Sequence, residues 1–103
     1  MAEWKKLCAE DDIAEGKTKL FNVSGKLILV GRDEGELHAI AGYCTHDGGE
    51  LDGEEVIDGQ VECSRHGAMF DLRSGEATMM PAVYGVATYD LMVEDGHIHV
   101  DMG

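Results

Sequence analysis

Two short stretches of the chain pair a cysteine with a histidine. Cys44-Thr45-His46 sets thiol and imidazole one residue apart, Cys63-Ser64-Arg65-His66 sets them two apart, and 16 residues separate the pairs. Thiolates and neutral imidazoles are ligands for soft and borderline metals. Within each pair both side chains leave the backbone inside one turn, so two such loops facing each other offer four converging ligands. Two kinds of centre accept that set. A structural zinc ion closes a tetrahedron, and its paired ligands usually have roughly two to four residues between them, more than the single residue of a Cys-x-His pair. A cluster of two irons and two sulfides needs two ligands on each iron. When imidazoles replace two of the thiolates, each loop supplies one Cys and one His. The spacing favours the cluster and leaves zinc as the alternative.

The flanking residues fit ligand loops. Asp47-Gly48-Gly49 follows the first pair and Gly67 the second. Glycine lets the backbone fold tightly and brings amide N–H groups close to an electron-rich sulfur centre. From Gly42 to Gly75 glycines are frequent and long apolar runs are few. A small domain that carries so much loop needs something to tie it down.

The rest of the chain supplies short strands to hold those loops. Leu20 to Val23, the pair Ser24-Gly25, and Leu27 to Val30 read as a hairpin. Leu37 to Ala41 forms a further apolar run after Arg32-Asp33-Glu34-Gly35. Tyr89, Leu91 and Val93 alternate with other residues, Asp95-Gly96 makes a turn, and Ile98 and Val100 resume the alternation. Val56-Ile57, Val61 to Cys63, Met69-Phe70 and Ala77-Thr78 are shorter strand candidates. Helical periodicity is confined to one possible turn over 9–15. The pattern predicts an all-β fold, a small antiparallel β-sandwich or barrel with a cluster-binding loop subdomain. Residues 1–103 read as a single domain, with ligand loops over about 42–75 and a third loop near 79–82.

Charge narrows the class of partner. There are 21 acidic and 8 basic residues, a formal net charge of −13. All five lysines (Lys5, Lys6, Lys17, Lys19 and Lys26) lie in the first 26 residues, balanced by five acids, so the whole excess follows Lys26. Neutralising phosphates requires Lys and Arg, which argues against nucleic acid and against an anionic membrane surface. No apolar run approaches the roughly 20 residues of a membrane span. Three cysteines make an odd number, which fits poorly with a disulfide-stapled secreted domain. The expectation is a cytoplasmic protein.

The segments Cys44 to Gly49, Cys63 to Gly67, Phe70-Asp71 and Ser74-Gly75, with Pro81 in a third loop, closely resemble the Rieske-type ferredoxins of bacterial aromatic-ring dioxygenase systems. The resemblance covers nearly the whole chain and implies one Rieske 2Fe-2S cluster, with Cys44 and Cys63 on one iron and His46 and His66 on the other. It implies a soluble one-electron carrier, not an enzyme, that takes electrons from a flavin-dependent ferredoxin reductase and passes them to a terminal oxygenase. The histidine-bound iron lies nearest the surface in that family, so His46 and His66, with Met80 and Pro81 on the rim, form the expected docking and electron-exit edge.

Departures from relatives sharpen the expectation. Rieske proteins of quinol-oxidising complexes carry an extra cysteine in each ligand loop, where this chain has Gly49 and Arg65, and sulfur-directed Ser and Tyr hydroxyls, where it has Ala68 and Phe70. Without those donors the added negative charge of the reduced state is less well stabilised. The potential is therefore expected toward the low end of the Rieske span of about −150 to +300 mV. Ser64 stands where the ferredoxins commonly have Pro, and Arg65 puts a cation between two ligands. The neighbouring possibilities are a ferredoxin of a diiron monooxygenase, a small subunit of a nitrite-reductase-like enzyme and, from another class, a zinc-stabilised interaction module. Plainer readings cover the remaining candidates. Cys8 is a half-buried core residue, His97 and His99 share an outer strand face, and His38 is surface or half-buried. Met79 with Met80 is core or rim, and Trp4 anchors an N-terminal strand.

Overall fold

A computed structural model of the chain describes residues 3–43, 50–51, 55–62, 68–79 and 84–103. Among these residues there is no α-helix, and ten strands pair antiparallel throughout. The strands are β1 (Trp4–Ala9), β2 (Thr18–Val23), β3 (Lys26–Asp33), β4 (Glu36–Ala41), β5 (Gln60–Glu62), β6 (Met69–Asp71), β7 (Ala77–Met79), β8 (Thr88–Tyr89), β9 (Leu91–Glu94) and β10 (His97–Asp101). They form three sheets, with orders β2-β3-β4-β8, β1-β10-β9 and β5-β6-β7.

The run Leu27-Ile28-Leu29-Val30 lacks the alternation of a half-solvated strand because β3 is buried on both faces. Leu29 joins Ile40, Leu51, Val61, Phe70 and Leu72 in one apolar cluster. Ile28 and Val30 join Ile13, Ala39, Ile98 and Val100 in another. The four-stranded sheet is thus the middle layer, with β5-β6-β7 packed on one side and β1-β10-β9 on the other. Phe70, Leu29, Ile28, Ile98 and Val100 are at most 1 % exposed. Each such side chain contributes about 1.5–3 kcal/mol through burial.

The turns follow the sequence signals. Ser24-Gly25, Glu34-Gly35, Asp58-Gly59 and Asp95-Gly96 each place two consecutive residues at positive φ, between 51° and 83°. That backbone matches the twist of tightly connected strands. The expected hairpins at Ser24-Gly25 and Asp95-Gly96 are present in register, Val23 facing Lys26 and Glu94 facing His97. Helix is reduced to a 3-10 turn at Glu10–Asp12. Arg32 holds it down, its Nε donating to Ile13 O at 2.9 Å and Nη2 to Glu10 O at 3.0 Å. Val56-Ile57 forms no strand; Ile57 pairs only with Gln60 across the tight turn. Strand β1 extends well past the Trp4 anchor that the sequence suggested and pairs with β10.

The first and last strands are also joined by a carboxylate. Asp101 Oδ1 accepts hydrogen bonds from Glu3 N and Gly103 N, both at 3.0 Å. The Gly103 bond, then the Glu3 bond, hold its pKa below the ordinary value, and the nearby N-terminal charge acts in the same direction. A carboxyl whose pKa is depressed on folding stabilises the fold above its unfolded pKa, and the contribution disappears as pH falls through the folded value. Asp101→Asn keeps an acceptor without the titration. Denaturation midpoints across about pH 3 to 6 should therefore fall less steeply on acidification in the variant than in the wild type.

Candidate metal centre

The four residues named from sequence as ligands, Cys44, His46, Cys63 and His66, lie outside the described residues, as do Arg65, Met80 and Pro81. The stems that position these segments are described. Tyr43 and Glu50 pair in an antiparallel bridge, closing a six-residue loop of 44–49. Behind that bridge Gly42 N donates to Leu27 O at 2.8 Å, and Leu51 N donates to Gly42 O at 2.9 Å. A Cβ on Gly42 would lie 2.5 Å from Leu20 Cδ1 and 3.1 Å from the Leu27 carbonyl carbon, so any larger residue would have to displace the Leu20 side chain and press on the Leu27 main chain.

The second loop, 63–67, joins β5 to β6, whose last pair before it is Glu62 with Met69. Met69 also pairs with Met79, so the third segment, 80–83, leaves the same end of that sheet. The chain returning from the third segment is pinned as well. Val86 N donates to Gly75 O at 2.7 Å, and Ala41 N donates to Ala87 O at 2.8 Å.

Beneath the stems lies one apolar floor. Leu51, one residue past the first stem, and Ala68, the first described residue after 63–67, are both fully buried in the cluster that holds Val61 and Phe70. Ala68 and Phe70 stand where hydroxyl donors were noted as missing, and each is 0 % exposed with no side-chain donor to offer. The surroundings suit a group that needs soft ligands above and little water below. Among the described residues no other set of three or more His, Cys, Asp or Glu could hold a metal ion.

The remaining candidates take other positions. Cys8 is half-buried and free, facing Ile98 on β10 and packed against the other core cluster. Burial pushes its thiol pKa up, Asp12 pushes it further, and Lys19 opposes both. It therefore stays a thiol at neutral pH, unlike a ligating thiolate. His97 and His99 share a face of β10 as expected but are half-buried, not exposed. His97 Nδ1 lies 3.0 Å from Asp95 O. His38 is half-buried, with Nε2 3.6 Å from Glu36 Oε2. Three positions at the first stem carry no signal in the sequence. Tyr43 and Glu50 pair as single residues, and an isolated bridge leaves no periodic trace. Gly42 looks like any loop glycine until Leu20 and Leu27 are seen against it.

Comparison with known proteins places these features. The Rieske 2Fe-2S domain family matches residues 3–90. The ferredoxin component of the p-cumate 2,3-dioxygenase system of Pseudomonas putida is 37 % identical over 99 residues, covering 94 % of this chain and 84 % of that protein. The ferredoxin of carbazole 1,9a-dioxygenase from Nocardioides aromaticivorans IC177 superposes with a TM-score of 0.86 at 31 % identity, covering 94 % of this chain and 95 % of that one. A chain in the complex of reduced oxygenase and oxidized ferredoxin of carbazole 1,9a-dioxygenase superposes with a TM-score of 0.87 at 26 % identity, covering 95 % and 92 %.

Proposed function

The chain belongs to the Rieske 2Fe-2S domain family, and from that membership we propose that it is the one-electron carrier of an aromatic-ring dioxygenase system. Cys44 and Cys63 would hold one iron, and His46 and His66 the other. When bound, the cluster supplies a site that stores and releases a single electron. The chain's own residues do the rest. The Tyr43–Glu50 bridge and the β5–β6 pairing hold the ends of the two ligand loops. Leu51, Ala68 and Phe70 exclude water from beneath. A flavin-dependent reductase donates the electron and a terminal oxygenase receives it, with His46, His66, Met80 and Pro81 forming the exchange edge. The reading takes residues 1–103 as one Rieske domain, with ligand loops within about 42–75 and a third near 79–82, working in the cytoplasm. No helix among the described residues is long and apolar enough to cross a membrane.

The observation that best supports this reading is the pair of loop stems set over one dry floor, with a thiol and an imidazole in each loop. Iron and acid-labile sulfide analysis tests it: two of each per chain are expected, in a brown protein whose reduced form gives an EPR signal. A colourless protein with one bound zinc would replace the electron carrier with a zinc-stabilised interaction module.

The floor also sets an expectation for the potential. Ala68→Ser would introduce a hydroxyl into a floor where Leu51, Val61 and Phe70 supply none. A donor that favours the reduced form by about 1.4 kcal/mol raises a one-electron potential by about 60 mV. Protein-film voltammetry should show a rise of that order, and an unchanged potential would remove Ala68 from the cluster's surroundings.

A further inference from the structure

Two histidines of β10 belong to no part of the candidate centre. His97 and His99 alternate with Ile98 and Val100, which are fully buried in the cluster between this sheet and the middle one. Successive side chains of a strand point to opposite faces, so both imidazoles leave from the face of the β1-β10-β9 sheet turned away from that core. Residues two apart on a strand are about 6.5 Å apart along it. Rings that share a face at that spacing can lean together and bring one nitrogen each to about 2 Å from a single metal ion.

The tautomer of His97 is already set for ligation. Its Nδ1 lies 3.0 Å from Asp95 O, and a carbonyl oxygen only accepts, so Nδ1 carries the hydrogen and donates it. In the neutral ring Nε2 then holds the free lone pair. Metal-binding histidines are commonly oriented in this way, the second ring nitrogen donating to a main-chain carbonyl. His99 makes no hydrogen bond or ion pair among the described residues, so neither of its nitrogens is committed to another group there. The neighbouring strands frame the two rings. Glu94 stands opposite His97, while His99 has Met92 on one side and Lys6 on the other. Directly opposed residues in an antiparallel pair share a face, so the exposed Glu94 carboxylate borders the imidazoles and offsets the Lys6 ammonium.

We propose that His97 and His99 form a second metal site, a surface site for one Cu(II) ion on the β9–β10 hairpin. Imidazole nitrogen, carboxylate oxygen and water suit a tetragonal ion, and Cu(II) is the divalent first-row ion that such donors bind most tightly. The described acids, cysteine and histidines form no ready-made cage of three donors. The two rings therefore hold the ion, water fills the open positions, and the exposed Glu94 carboxylate swings in on binding. The site stands apart from the ligand-loop stems, with the middle sheet between its own sheet and the β5-β6-β7 layer.

Titrating Cu(II) into the oxidised, metal-loaded protein tests this. An oxidised two-iron cluster is EPR-silent, and so is zinc, so the copper signal stands alone whichever of them fills the candidate centre. One tightly bound copper per chain is expected, with a tetragonal spectrum and pulsed-EPR couplings from two imidazoles. Coordination should survive about 0.5 M salt, which would strip an ion attracted only by the acidic surface. His97→Gln and His99→Gln should each weaken binding by at least about ten-fold, and the double variant should lose the signal. His38→Gln should bind copper as the wild type does, because His38 Nε2 is sealed from solvent on another strand. The visible spectrum of the protein should stay unchanged throughout. Fewer than two imidazoles on the copper of the wild type overturns the proposal without recourse to any variant. So does a double variant that keeps the signal, or copper uptake that proceeds only as the visible spectrum bleaches.

Discussion

His66→Ala is expected to give a colourless protein with little or no iron, whereas Cys8→Ala should stay brown with full iron and sulfide. The contrast follows from what surrounds each residue. Residues 63–67 bridge β5 and β6, and the fully buried Ala68 anchors them on one side. A ligand lost from such a loop leaves an iron with an open position. Cys8 is the one cysteine among the described residues. It sits on β1 in the other core cluster, with the middle sheet between that cluster and the β5-β6-β7 layer. Its thiol is also held protonated by burial and by Asp12. Iron and sulfide per chain, with the visible spectrum, check both variants. An iron-free Cys8→Ala protein, or a fully loaded His66→Ala protein, would overturn the ligand assignment.

The second large effect is expected at Gly75. Its φ of +76° already excludes most side chains, and a Cβ there would lie 2.1 Å from Val86 O and 3.1 Å from the Val86 carbonyl carbon. These are main-chain atoms, so no side chain can swing aside. Relief must come from moving the returning segment, which breaks the 2.7 Å bond from Val86 N to Gly75 O. Backbone strain of about 1 kcal/mol, a lost hydrogen bond of about 1 kcal/mol, and the overlap itself together put Gly75→Ala at roughly 3–5 kcal/mol of lost stability. For a domain of this size that lowers Tm by about 15–30 °C. Gly35→Ala is the control. Its φ is +80°, and nothing lies within 4 Å of the added carbon, so only the strain of about 1 kcal/mol applies. Thermal denaturation of the two variants should separate them clearly. The Gly75 variant is also expected to load its cluster poorly, because Val86 belongs to the floor beneath the stems.

The sequence made different parts of this molecule legible for different physical reasons. The β2–β3 and β9–β10 hairpins could be read because a Gly-containing turn between apolar runs is a local signal, and the structure places both turns where the residues put them. Antiparallel all-β architecture followed from the same signals. The candidate ligand pairs stand out by residue type and spacing and lie outside the described residues, and family membership supports the chemistry they suggest. What stayed hidden depends on contacts distant in the chain. Val56-Ile57 has the composition of a strand, yet Val56 N is taken by Gly16 O and Ile57 turns back onto Gln60. The half-burial of His97 and His99 comes from β1 and β9 on either side of β10. Gly42 and Gly75 matter only through the atoms packed against them. Charge was legible as a total and not as a pattern. Arg73 gathers Asp33, Glu34 and Glu36 at the β3–β4 turn, the end of the middle sheet away from Tyr43.

The zipped pair of outer strands has a practical consequence. Met102 N donates to Glu3 O at 2.8 Å, and Asp101 faces Trp4 across the β1–β10 ladder. Both ends of the described chain therefore emerge side by side on the β1-β10-β9 layer, with the middle sheet between it and the β5-β6-β7 layer. A tether fixed at either end, whether to an electrode, a bead or a fused reductase, would leave the β5-β6-β7 layer facing outward. Two tethers, one at each end, would hold the molecule in a single orientation, which suits this fold to wiring as an oriented monolayer.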